Sequence, residues 1–161
     1  MRYISRRNNM SDNAYTNQVL NRIAKVSETR RKNFIKAAKY IRDSKIKYCF
    51  DCKANEVELN LIELEALLNI HAGTISYSMD ITSLIEHSWT DLRNMILGYN
   101  RKIILNDVER SENYAADEYL KIANLYLPPK VRMLVMQQIN EAQNNQIEVK
   151  EMRQTIISMT T

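Results

Sequence analysis

The chain has 161 residues and a formal net charge of +4, with 45% hydrophobic and 26% charged residues. Such a composition suits one soluble globular domain, large enough to build a core without disulfides or metal. Two Gly and two Pro are too few for the turns of a sandwich or barrel, and no apolar run approaches the roughly 18 residues of a membrane span.

The opening residues, Met1 to Arg7, carry charge but no following apolar segment, so no secretory signal is expected. Two cysteines without such a signal favour a reducing, cytoplasmic setting. The net charge conceals an asymmetry. Residues 1–53 hold a balance of +10, and residues 54–161 a balance of −6. A polyanion-facing N-terminal third is the natural reading.

Residues 1–11 read as a flexible basic tail, followed by a single all-α domain over 12–161. A basic first helix is predicted over 13–43, because Val19, Leu20, Ile23, Val26, Phe34, Ala37, Ala38 and Ile41 recur at helical spacing. On the same wheel Arg22, Lys25, Lys32, Lys36 and Lys39 fall nearly opposite that stripe. With Arg6, Arg7 and Arg31 they are the candidate phosphate contacts for nucleic acid, DNA or RNA. An acidic protein partner is the competing occupant of the same face. Arg30 falls inside the apolar arc, where it needs a carboxylate partner or must snorkel outward.

A connector over 46–54 carries Cys49-Phe-Asp-Cys52, with a short extended piece at 46–50. Two thiolates at this spacing make half a zinc site. The remaining ligands would be His71 and His87, the chain's whole histidine stock. Inert thiols and redox chemistry are the alternatives. Tyr40, Tyr48 and Phe50 lie among the cations, where aromatics either stack on unpaired bases or edge the core.

An acidic-leaning helical bundle is predicted over 55–161. Its first helix starts at Asn55 with Glu58 three positions on, and buries Val57, Leu61, Leu64, Leu67 and Leu68. Residues 67–76, Leu-Leu-Asn-Ile-His-Ala-Gly-Thr-Ile-Ser, resemble the centre of a helix-turn-helix, although Glu65 stands where a small residue is usual. That resemblance implies Thr74, Ser76 and Tyr77 approaching a major groove; an ordinary turn is the other reading. Further helices are predicted over 81–108, from Ser111 to 126, and over 130–157. Pro128 stops one and Pro129 starts the next. The Gln143–Gln146 stretch reads as a poor core and a solvent or assembly surface.

The architecture expected is therefore an all-α bundle of about five helices, two or three of them longer than 25 residues. Long helices in a small chain favour a homo-oligomer. No Gly-rich phosphate loop, Ser–His–Asp set or HExxH appears, and carboxylate pairs such as Glu109/Glu112 are expected to be solvated. The leading reading is a non-enzymatic nucleic-acid-binding accessory or regulatory protein, of the kind viruses and mobile elements carry. The alternative is an adaptor or structural subunit that oligomerises through its oppositely charged halves.

Overall fold

The computed structural model describes residues 3–70 and 101–159. Four helices make up these residues: α1 (Tyr3–Tyr40), α2 (Ser44–Ile70), α3 (Arg101–Ala123) and α4 (Pro129–Met159). Three exceed 25 residues, at 38, 27 and 31. None of the four contains an interior Gly or Pro, the residues that most weaken a helix. The all-α class is as expected, with four helices rather than about five among the described residues.

The boundaries differ from the sequence reading, and capping explains much of the difference. Asp43 Oδ1 accepts the backbone N–H groups of Lys45 and Ile46 at 3.0 and 3.1 Å. That is an N-cap, and it starts α2 at Ser44. The expected connector over 46–54 and its extended piece are therefore helix, with Cys49 and Cys52 one turn apart on α2. Ser111 does not open a helix. It lies within α3, where its hydroxyl takes the Asn33 side-chain amide of α1. α1 begins at Tyr3, so helix also covers residues 3–11. Pro129 stands first in α4, as its fixed φ and missing N–H allow. Arg132, one turn on, donates to the carbonyls of Ala123 and Leu125 where α3 ends.

The helices form two antiparallel hairpins, α1–α2 and α3–α4. The pairs Arg22–Glu118, Ser27–Tyr119 and Arg30–Glu112 run α1 antiparallel to α3. Cys49–Glu148 and Asn60–Glu141 do the same for α2 and α4. α2 and α3 are consequently parallel, and Arg101 meets Asp43 at 2.8 Å, at the end of the bundle opposite Ile70. One continuous apolar core fills the centre, with Leu20, Ile23, Phe34, Leu64, Leu105, Ile122 and Val135 almost wholly buried. The rings of Phe34 and Phe50 meet across the α1–α2 hairpin at 5.9 Å.

Candidate nucleic-acid interface and the buried polar core

The outer face of α1 lies opposite the core stripe. Arg22, Lys32 and Lys39 are exposed on it, and Lys25 and Lys36 are half-buried. The row runs from Arg22 to Lys39, which is about 26 Å of helix at 1.5 Å per residue. Arg22 reaches Glu118 at 3.2 Å, and Lys32 reaches Glu28 at 3.5 Å. Arg31 is turned toward α2, between Glu28 and Glu58 at 2.9 and 3.0 Å, and sits apart from the row. Hydrogen bonds from Lys121, chiefly, and from Arg22 hold the Glu118 carboxyl below its ordinary range. Arg6 and Arg7 are on α1, and their side chains lie outside the described ones.

Around the α1–α2 turn the row meets cations that the sequence reading left out. Arg42, Lys45 and Lys47 are exposed there. The Arg101–Asp43 ion pair brings the start of α3, with exposed Lys102, to the same end. Arg42, Lys45 and Lys47 were visible as part of the basic N-terminal third. Lys102 needed the fold, since nothing local joins it to residue 43. Of the aromatics in the basic segment, Phe50 is wholly buried and Tyr40 edges the core, whereas Tyr48 is 72% exposed.

The core holds a second constellation. Arg30 is fully buried and grips Glu112 through two N–H groups, Nε to Oε1 at 3.0 Å and Nη2 to Oε2 at 2.8 Å. Its Nη1 donates to Gln138 Oε1 at 3.0 Å, which fixes which way that amide points and leaves Gln138 Nε2 buried without a hydrogen-bond partner among the described residues. The Tyr119 ring lies 5.8 Å from the guanidinium, and its hydroxyl bonds Ser27 at 2.7 Å. Glu112 also accepts the Asn145 amide at 3.1 Å, and Asn145 in turn accepts Lys53 at 2.7 Å. Lys53 pairs with Glu148, and Arg153 with Glu109. All four helices contribute. Burial alone would depress Arg30, but the charge and hydrogen bonds of Glu112 outweigh it and raise its pKa.

One expectation is met here and two change. Arg30 has the carboxylate it needed. Glu109 and Glu112 are buried rather than solvated, each matched by an arginine. Asn145, within the supposedly poor core of α4, is a buried member of the network, while Gln143 and Asn144 are exposed.

Helical bundles that hold a metal pair place it between a Glu on each of two helices and Glu-x-x-His on the other two. The described residues do not fit one. α3 carries Glu109-Arg-Ser-Glu112 without histidine, and a guanidinium already occupies the cation position on Glu112. No group of three or more potential ligands is positioned for a metal among the described residues. Cys49 and Cys52 are free and partly buried. Burial, with Glu148 adding and Lys53 opposing, pushes the Cys49 thiol up to about 11. His71 and His87, and the helix-turn-helix residues from 71 on, lie outside the described residues. Asn69 is helical, so a turn does not begin at it. No described helix is long and apolar enough to cross a membrane.

The four described helices and their core define an all-α bundle with a charge-compensated interior and one strongly basic helix face. Residues 15–124 match the family described as Domain of unknown function (DUF2383), and the chain belongs to that family. The match spans most of α1, all of α2 and all of α3, whereas α4 supplies Gln138, Asn145 and Arg153 from beyond it. No curated protein matches the chain.

Proposed function

We propose that this protein binds nucleic acid without catalysis, through the phosphate backbone, on the outer face of α1. The observation that supports it is the row Arg22, Lys25, Lys32, Lys36 and Lys39, laid along one rigid helix and continued around the turn by Arg42, Lys45, Lys47 and Lys102. Cations on a rigid element displace counterions from a polyanion with little ordering cost, and a phosphate-directed face reads little sequence. The buried network sets the geometry of this face. Arg30, inside the same helix, locks α1 to α3 and α4, so the row is held by packing.

Fluorescence anisotropy with labelled single-stranded and duplex DNA and RNA tests the reading. The triple variant K32E/K36E/K39E, exposed or half-exposed at all three positions, is expected to lose binding while keeping its helical circular dichroism. Binding unchanged by these substitutions rules out α1 as the contact surface.

A further inference from the structure

The outer face of α2 is apolar although no other described helix covers it. Its core side is Phe50, Val57, Leu64 and Leu68, all at most 1% exposed. On the opposite side Tyr48, Cys52, Asn55, Leu59, Ile62 and Ala66 follow a four–three spacing, the a and d positions of a heptad repeat. Ile70, on the next turn, continues the face. Tyr48, Leu59, Ile62 and Ile70 are 72%, 67%, 57% and 70% exposed. From Tyr48 to Ile70 the stripe is about 33 Å long, about three heptads, which suits pairing with another helix.

Charge restricts what that helix is. Glu58 and Glu65 flank the stripe on one side, and Glu56 and Glu63 on the other. Between Lys53 and Ile70 there is no Lys or Arg. A second copy's α2 would set glutamates against glutamates whether it ran parallel or antiparallel, because the flanking rows carry one sign throughout. Residues 71–100 of the same chain carry Asp80, Glu86 and Asp91 against a single Arg93, again the wrong sign. Ile35 is the exposed large aliphatic residue on the described α1 surface, too little for a matching seam. We infer that the outer face of α2 docks a helix of a partner protein, one with an apolar a/d seam flanked by lysines or arginines. Asn55 and Asn69 both fall at d positions, polar points that the partner's seam has to match.

Two synthetic helices test this on the full chain: one with Leu and Ile at a and d and Lys at e and g, the other identical but with Glu at e and g. The lysine helix is expected to bind at least ten-fold tighter than the glutamate helix, and more weakly as salt rises. L59E/I62E, at exposed positions, should abolish that binding. This variant adds negative charge, so mere attraction to an acidic surface would rise instead. E56K/E63K should shift the preference toward the glutamate helix, and the helical circular dichroism should be unchanged in both variants. Failure of the lysine helix to bind, equal binding of the two, or binding that survives L59E/I62E overturns the inference. So does a dimer in light scattering that L59E/I62E dissociates, which would assign the face to a second copy.

Discussion

Arg30 illustrates how one residue decides the character of the core. A fully buried guanidinium is costly unless its donors and its charge are matched, and here Glu112 and Gln138 match them. Truncating either ion leaves the other buried and uncompensated. R30A or E112A should therefore lower unfolding free energy by about 3–5 kcal/mol in urea denaturation. R30M/E112L removes both charges and should recover most of that loss, which a double-mutant cycle would register as strong coupling. The thiols make a second prediction. With its pKa pushed up to about 11 by burial, Cys49 is mostly protonated at neutral pH. In a C52A background it should alkylate more slowly than a free cysteine at pH 8 and accelerate toward pH 11. Fast alkylation at pH 8 would show an accessible thiolate instead.

At the scale of elements, Asp43 sets the division between α1 and α2. The hydrogen bonds from Ile46 and Lys45 lower its carboxyl pKa against a small burial penalty, and Arg101 adds to them. D43A should cost about 1 kcal/mol at pH 7, the usual worth of a cap. A lowered folded pKa stabilises above the unfolded value, about 4, and that contribution fades as pH falls through the lowered one. The D43A deficit, followed by chemical denaturation, should therefore shrink below pH 4; a constant deficit would mean the ionised carboxylate contributes nothing. The helical periods of α1, of the second half of α2, and of α4 were legible, because an amphipathic stripe repeats every 3.6 residues. The helical state of 46–54 was not. There the apolar positions Ile46, Phe50 and Ala54 are a turn apart but diluted by lysines and by a cysteine pair that suggests a loop. The fates of Ser111 and Glu112 were hidden for another reason: each has its partner on α1, about 80 residues away.

Across the whole molecule, the fold separates what the sequence mixes. Arg30 and Arg31 are adjacent in the chain, yet one is the core's internal cation and the other an inter-helix tie to Glu58. Wheel geometry had already put Arg30 on the apolar side and the row from Arg22 to Lys39 on the other, so the basic face was readable from the sequence. Its extension by Lys102 was not, because antiparallel pairing of α1 with α3 brings that residue to the turn. The exposed seam of α2 was also missed, since Leu59 and Ile62 lie outside the inward stripe that defined the helix.

The most direct test of the α1 reading is the salt dependence of nucleic-acid affinity. If all five cations of the row meet phosphates, the logarithm of the association constant should fall with log salt at a slope of about −4.5 on duplex DNA. A shallower slope and weaker binding are expected of the single variant K36A. A steep slope that K36A reduces by about 1 agrees with backbone binding through α1. Affinity that is flat with salt, or no binding to any strand type at low ionic strength, contradicts it.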